Sequence, residues 1–307
     1  MRAPHCSSVC TATSTFGKPD MRMDAQQDNQ HNNRPEWVLI RGLIRSRFHW
    51  GAFPDQLLNQ LQQQQLAPPA LLLPELAGNG ERFRDKTPLS IHRMMLDIRQ
   101  QVANLSPDNK RPLVLVAVSM GAMIATEWAR CFPQEVARLH LINTSFSNFA
   151  PPWQRMKIPP LLSFLCSLHS SDKLETAILH WTLNMKDSAG LLPLWRDYAA
   201  THPLSMRNGL AQLLAASHFR GPAQAPSEEV FFYNSQHDRL VDAACTRRIA
   251  ERWQKTLLTH AKAGHDLPMD DPDWLIQQII ANEQLSMART ALPEPASVSH
   301  ADADTTH

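Results

Sequence analysis

Continuous apolar runs alternate along the chain with segments in which apolar residues recur every three or four positions. Such runs are typical of strands buried on both faces, and the periodic segments are typical of helices with one buried face. The runs predict strands over residues 37–43, 70–73, 113–118, 136–145, 229–235 and 255–260. The periodic segments predict helices over residues 51–65, 91–105, 120–131, 242–253 and 271–285.

This alternation of strands with helices favours βαβ units. It therefore predicts an α/β fold with a mainly parallel central sheet and helices on both of its faces. The predicted strands lack the in–out alternation of a half-exposed sheet, which agrees with helices on both sides. Local signals mark two helix starts: Pro54 suits a first turn, and Thr87 with Pro88 predicts the cap of the following helix.

One long segment breaks the alternation. Residues 145–226 contain no convincing strand but several helical patterns, such as LETAILHWTLNM and GLAQLLAASHF. We therefore predict a helical cap at 145–226, inserted into a core formed by 36–144 and 227–285. The insertion is either an extra structural layer or a lid over the carboxyl ends of the strands, where ligands of open α/β sheets bind. The lid is the favoured interpretation.

Both ends of the chain lack apolar periodicity. Residues 1–35 are polar and rich in Gln and Asn, and residues 286–307 mix small, proline and polar residues. Both segments are therefore predicted to be disordered tails. Translation from Met21 or Met23 would also supply the whole predicted domain, and the intact mass of the native protein tests this alternative.

Composition argues against several classes of function. The 30 basic and 29 acidic residues give a formal net charge of +1, which predicts neither a nucleic-acid nor a membrane partner. No apolar run approaches the ~18–20 residues of a membrane-spanning helix, and the first residues lack the apolar core of a secretory signal. The five cysteines show neither zinc-ligand pairing nor a dense disulfide pattern. We therefore expect a reduced, cytoplasmic protein without a metal or other cofactor, and its oligomeric state stays open.

The chain changes from strand to helix at a lone polar residue, Ser119, within AVSMG. A nucleophilic serine needs an exposed oxygen, a base and a place where negative charge can collect. A tight strand-to-helix turn exposes the oxygen, and it requires small neighbours two residues away, here Ala117 and Gly121. The helix that begins at Met120 also directs its first amides to this place. Ser119 is therefore a candidate nucleophile, although a chance serine in such a turn would give the same pattern.

A candidate acid and a candidate base follow Ser119 in the chain. Asp238 comes just after the predicted strand 229–235, and His265 comes just after the strand 255–260. Taken alone, Asp238 fits a turn or helix cap, and His265 fits a solvated loop histidine. Together the three residues each follow a separate strand, in the order Ser, Asp, His. This order and context predict a catalytic triad.

The motif AVSMG and the order of the triad resemble the α/β-hydrolase superfamily, in particular small bacterial carboxylesterases with a helical cap. The resemblance covers roughly Trp37–Leu285, with alanine in place of the first glycine of G-x-S-x-G. It implies that the backbone amides of Leu43 and Met120 form the oxyanion hole. Arg41 stands where that family usually has histidine, a departure that either alters loop packing or adds a positive charge beside the pocket.

The resemblance further implies a serine esterase that forms an acyl-enzyme on Ser119 and acts on a small-molecule ester. The same triad also serves thioester cleavage, acyl transfer and lyase chemistry, and a fold that has lost turnover would be a binding module. Large apolar residues of the insertion belong more often to a core than to a substrate wall. Those that face the cleft would favour a mainly apolar substrate of small to medium size. The candidates for this wall are Phe146, Phe149, Trp153 and Trp181.

Overall fold

The computed structural model describes residues 34–107, 111–185 and 190–291. The chain divides into two units, Met1–Arg34 and Pro35–His307, and the fold below is that of the second. The predicted N-terminal tail up to residue 33, with the alternative starts Met21 and Met23, lies outside the described residues. So does the predicted C-terminal tail from residue 292 onwards.

Six parallel strands form one sheet, in the order β2-β1-β3-β4-β5-β6. The central strand β3 lies between β1 and β4, so the turn at its carboxyl end reaches the middle of the sheet edge. The mainly parallel sheet predicted from the sequence is confirmed. The strands are β1 (Glu36–Ile40), β2 (Leu71–Leu72), β3 (Leu113–Val118), β4 (Val136–Ile142), β5 (Val230–Ser235) and β6 (Leu257–His260).

Helices pack on both faces of this sheet, which explains the unbroken apolar runs. Along β1, Val38 and Ile40 pack with helices α2 and α3, whereas Trp37 and Leu39 pack on the opposite face with α1 and α11. Each of these four β1 positions therefore packs against a helix, whichever face it points to. The helices in chain order are α1 (Phe53–Gln63), α2 (Ile91–Leu105), α3 (Met120–Cys131), α4 (Pro152–Arg155), α5 (Ile158–Ser167), α6 (Ser171–Thr182), α7 (Leu191–Thr201), α8 (Met206–His218), α9 (Ala244–Trp253), α10 (Leu267–Asp270) and α11 (Pro272–Ala291).

The cap of one helix and the end of another differ from the sequence prediction. Helix α2 is capped by Ser90, whose hydroxyl accepts a hydrogen bond from the amide of Arg93, and not by Thr87. The Thr87 hydroxyl instead donates to the carbonyl of Ala77, 2.6 Å away. Helix α11 runs on to Ala291, past the predicted end of the domain at residue 285.

The extension of α11 has a tertiary cause. Ser286 is buried, and its hydroxyl donates to a carboxylate oxygen of Glu229, the residue before β5. One turn later Arg289 Nη1 lies 3.4 Å from the other Glu229 oxygen. These contacts hold the last turns of the helix against the sheet, so residues 286–291 do not form part of a tail.

A helical insertion, α4–α8, separates β4 from β5, and within its described residues it contains no strand. Its helices share a small apolar core that includes Phe164, Ile178 and Trp195 and also takes in Ile44 from the loop after β1. The insertion therefore packs against the carboxyl edge of the sheet. Among the described residues, no helix combines the length and apolar character needed to cross a bilayer.

A buried polar network joins the sheet to α11. His140, on β4, hydrogen-bonds through Nε2 to Glu283 at 2.9 Å and through Nδ1 to the hydroxyl of Tyr233 at 2.8 Å. Arg138 adds an ion pair to Glu283 at 2.8 Å. Burial alone would raise the pKa of Glu283, but the hydrogen bond from His140 and the charges of His140 and Arg138 outweigh it and lower that pKa. The carboxylate is therefore stabilised in its ionised form.

We expect Glu283→Gln to lower the free energy of unfolding by about 3 kcal/mol at pH 7, because Arg138 loses its buried carboxylate partner. A carboxyl group with a lowered pKa contributes stability above its unfolded pKa of about 4.3, and this contribution is lost as the pH falls through that value towards the folded pKa. Urea unfolding at several pH values measures the difference, which should shrink in acid. The control Glu251→Gln removes an exposed carboxylate. Equal effects of the two substitutions at pH 7 would contradict the network's role.

Candidate active site

Ser119 occupies a strained turn between β3 and α3. Its backbone has φ 57° and ψ −117°, a conformation that residues with a side chain rarely adopt. The turn is possible because Gly121 lies directly against the end of β1. A methyl group on Gly121 would lie 2.4 Å from the carbonyl oxygen of Ile40 and 2.6 Å from that of Arg41. The small residue is therefore required by the close approach of helix and strand.

The loop after β1 lies beside this turn. A methyl group on Gly42 would lie 3.0 Å from Ser119 Cβ and 3.6 Å from the amide nitrogen of Met120. Leu43, the next residue, lines the same cavity as Ser119 and Met120. The structure thus brings together the nucleophile candidate and the two residues whose amides the sequence predicted as oxyanion donors.

Asp238 and His265 also meet at this edge of the sheet. His265 Nδ1 and Asp238 Oδ2 are 2.6 Å apart, and both side chains are buried. The other oxygen, Asp238 Oδ1, accepts hydrogen bonds from the amides of Leu240 and Val241, both at 2.8 Å. Because a carboxylate only accepts hydrogen bonds, Nδ1 is the donor in this pair, and in the neutral imidazole the lone pair then lies on Nε2. His265 lines the cavity together with Ser119.

Sequence reasoning missed Asn143, which positions the histidine loop. Asn143 follows β4 with φ 46°, in the left-handed region that asparagine tolerates. Its Nδ2 donates to the carbonyl of His265 at 2.8 Å, and its Oδ1 accepts from the amide of Ser235 at 2.9 Å. The signal in the sequence for this role was a single asparagine at the end of the mainly apolar run LHLI. Asn143 joins the ends of β4 and β5 to the loop that carries the base candidate.

Arg41 forms a buried ion pair with Asp266, the residue after His265. Arg41 Nη1 donates to Asp266 Oδ1 at 2.9 Å, and Nη2 donates to Oδ2 at 2.5 Å. The guanidinium also lies 4.8 Å from the ring centroid of Trp50. Arginine in place of the expected histidine at position 41 therefore affects loop packing, because Asp266 neutralises the positive charge that Arg41 brings to the pocket.

The cavity above Ser119 has a volume of about 720 Å³ and a mainly apolar wall. Trp153 and Trp181 line it. Phe146 and Phe149, the other two wall candidates, do not. Phe146 is fully buried under the insertion, in edge contact with Phe219 (5.3 Å between ring centroids), and Phe149 packs against the same core. The ring of Phe146 also lies 5.8 Å from that of Trp253 on α9, and Phe149 contacts Phe146, so both phenylalanines belong to the core and not to the cavity wall.

The insertion is bonded to the loop after β1. Gln212, a fully buried residue of α8, accepts a hydrogen bond from the amide of Ile44 at 2.7 Å through its side-chain oxygen. Arg45 Nη1 forms an ion pair at 2.8 Å with Glu175 on α6. A lone glutamine in an amphipathic helix gives no sequence signal of such a partner. These bonds tie the cavity roof to the segment that contains Leu43.

The described residues hold one compact group of metal-type ligands, formed by His92, Glu127 and Cys131. It does not line the cavity with Ser119. Arg130 donates to both Glu127 oxygens, at 2.8 and 2.7 Å. Burial, with the charge of Glu127 second, raises the pKa of the Cys131 thiol. A guanidinium among the ligands and a protonated thiol both disfavour a cation at this place.

Comparison with known proteins gives the family context of this site. The model of the alpha/beta hydrolase family matches residues 37–278. No curated protein sequence matches the chain significantly.

Several solved structures are similar to the chain in fold. A membrane phospholipase A, a bacterial virulence factor, has 16% identity and a TM-score of 0.63, with 84% of this chain and 80% of that one covered. A thermophilic esterase from Thermogutta terrifontis has 18% identity and a TM-score of 0.60, with coverage of 83% and 90%. The 2-hydroxy-6-oxo-6-phenylhexa-2,4-dienoate hydrolase from Rhodococcus sp. strain RHA1 has 15% identity and a TM-score of 0.58, with coverage of 82% and 91%.

We expect Gly121→Ala to lower the free energy of unfolding by about 1–3 kcal/mol, because the new methyl group forces α3 away from the backbone of β1. Urea unfolding measures this loss. The matched control is Gly190→Ala, since a methyl group at Gly190 meets no atom within 4 Å. Similar stability changes in the two variants would contradict the close approach at Ser119.

Proposed function

The chain belongs to the alpha/beta hydrolase family, and on that premise we propose that it is a serine hydrolase that cleaves carboxylic esters through an acyl-enzyme on Ser119. The observation that carries the proposal is the pair of His265 and Asp238, held 2.6 Å apart beside the strained turn of Ser119. The three side chains come from the carboxyl ends of three different strands. Their order in the chain is that of the family's triad.

In the proposed mechanism, His265 Nε2 removes the proton from the Ser119 hydroxyl as its oxygen attacks the ester carbonyl. Asp238 holds the imidazole in place and stabilises the positive charge that forms on it. The amides of Leu43 and Met120 donate to the oxyanion, and one such donor contributes about 3–4 kcal/mol in a comparable protease. His265 then protonates the leaving alcohol, and water repeats the sequence on the acyl-enzyme to release the acid.

The helical insertion supplies the roof of the site and, in this proposal, acts as a lid that selects substrates by size. Trp153 and Trp181 lie in the cavity wall with other apolar side chains. A wall of this kind favours substrates whose body is apolar, since few polar groups are present to orient them. The cavity volume of about 720 Å³ accommodates esters of small to medium size.

We expect Ser119→Ala to lower kcat for p-nitrophenyl ester hydrolysis by a factor on the order of 10⁶, and Asp238→Asn to lower it by a factor on the order of 10⁴. Initial rates over a series of acyl chain lengths measure both losses, and thermal melting checks that each variant is folded. The control Ser163→Ala changes a hydroxyl on α5 outside the cavity wall and should keep wild-type rates. Ester hydrolysis that persists in Ser119→Ala would contradict the proposal.

The same triad could instead cleave thioesters. Rates on a parallel panel of acyl-CoA substrates distinguish this activity from ester hydrolysis. The proposal predicts that kcat/KM is higher for oxygen esters than for thioesters with the same acyl group. The reverse order would replace the ester proposal with a thioesterase.

A further inference from the structure

Three arginines line the cavity: Arg41, Arg45 and Arg155. Two of them have carboxylate partners, because Asp266 pairs with Arg41 and Glu175 pairs with Arg45. For Arg155 no carboxylate of the described residues lies within ion-pair distance. It is therefore the one cavity arginine whose charge the described protein leaves without an acidic partner.

Arg155 ends the short helix α4 and is 9% exposed. Its Nη1 donates to the carbonyl of Ser217 at 2.7 Å, and its Nη2 donates to the carbonyl of Ala216 at 2.5 Å. Its buried Nε has no hydrogen-bond partner. A guanidinium has five N–H donors, so two backbone carbonyls leave most of them unused. The carbonyls belong to the end of α8, where the helix dipole compensates part of the positive charge.

The groups around Arg155 do not supply the missing negative charge. Burial raises the pKa of the nearby Cys245 thiol to about 12, so that thiol is neutral at physiological pH. The carboxylate of Asp238 is already shared between His265 and two backbone amides. Lys157, two residues along the chain, adds another positive charge with its Nζ on the carbonyl of Asp238. Burial also lowers the pKa of Arg155, which reflects the desolvation cost of this cation.

We propose that Arg155 binds a carboxylate at the end of the substrate opposite the scissile ester. The substrate class is then an ester with an apolar body and one anionic end, such as a hemiester of a dicarboxylic acid. A guanidinium offers a carboxylate paired donors in a planar fork, and the apolar wall strengthens that interaction by excluding water. This inference rests on the proposed ester hydrolysis at Ser119 and adds the chemistry of the substrate's far end.

Matched substrates test the inference by kinetics. One series contains p-nitrophenyl hemiesters of straight-chain dicarboxylic acids from succinic to sebacic acid, each paired with the monocarboxylic ester in which a methyl group replaces the carboxylate. A second pair places the charge on the alcohol: hexanoyloxyacetate against ethyl hexanoate. In at least one series we expect wild-type kcat/KM to favour the anionic member by about tenfold or more, as for a hydrogen bond to a charged group.

The variants Arg155→Met, Arg155→Lys and Arg220→Met identify the residue responsible. Arg155→Met should abolish the preference by slowing the anionic ester about tenfold or more, with the neutral ester within about threefold of wild type. Arg220 is exposed and outside the cavity wall, so Arg220→Met should keep the full preference. No preference in wild type, or an equal loss on both substrates in Arg155→Met, would overturn the inference. If Arg155→Met does not fold, Arg155→Lys decides, because lysine keeps the positive charge but lacks the planar pair of N–H donors. A reduced preference for the anionic ester with unchanged neutral-ester rates then supports the inference, and an unchanged preference overturns it.

Binding measurements separate this inference from the proposed reaction. Calorimetry compares hexanoate with hexan-1-ol on the Ser119→Ala protein and on the Ser119→Ala/Arg155→Met protein. We expect hexanoate to bind at least about tenfold more weakly without Arg155, and hexan-1-ol to bind equally to both proteins. If wild-type protein hydrolyses no ester of either series while hexanoate binding still depends on Arg155, the reaction is rejected and the anion site is kept. Equal hexanoate binding by both proteins would reject the anion site.

Discussion

The buried ion pair between Arg41 and Asp266 joins the two loops on which the whole site depends. Arg41 lies in the loop that leads to Leu43, and Asp266 directly follows His265. Removing one partner of such a buried pair typically costs about 3–5 kcal/mol, because the other charge is left uncompensated in a medium of low polarity. The pair therefore couples the spacing of the proposed oxyanion donors to that of the proposed base, across the cavity that both loops border.

This coupling matters because the two loops come from segments that are far apart in the chain. Arg41 and Asp266 are 225 positions apart in the chain, and the segment between them includes the whole helical insertion. Gln212 and Glu175 of that insertion bond to the residues just after Arg41, so the roof of the cavity is attached to the same loop. The sheet edge, the roof and the histidine loop thus constrain one another, and a shift in any of them would change the distance between the proposed nucleophile and its proposed base.

Local features of the sequence were enough to predict the strands, the parallel sheet and the positions of the three triad candidates. Each depends on a short pattern: an apolar run, a small residue beside a turn, or a polar residue at a strand end. The roles of Asn143, Gln212 and Arg155 could not be predicted, since each depends on partners that are distant in the chain. Phe146 and Phe149 were misassigned to the cavity because an apolar pattern shows that a side is buried without showing what it faces. The end of α11 was missed for a similar reason, as Ser286 is held by Glu229 on another element.

Two of the three arginines that line the cavity are balanced by a carboxylate, and the third is not. Arg41 and Arg45 are each balanced by a carboxylate, and Asp238 is held by His265 and two amides. The mainly apolar wall lowers the local polarity, which strengthens the few polar interactions that remain. Of the three cavity arginines, Arg155 alone has no acidic partner among the described residues, and in our proposal it is the point at which the wall distinguishes an anionic substrate from a neutral one.

The most direct test is a crystal structure of the protein after reaction with an alkyl fluorophosphonate. We expect phosphorus bonded to Ser119 Oγ, with a phosphonyl oxygen within hydrogen-bond distance of the amides of Leu43 and Met120 and with the imidazole of His265 beside it. An unmodified Ser119, or a phosphonyl group on another residue, would contradict the proposed role of Ser119 as the nucleophile.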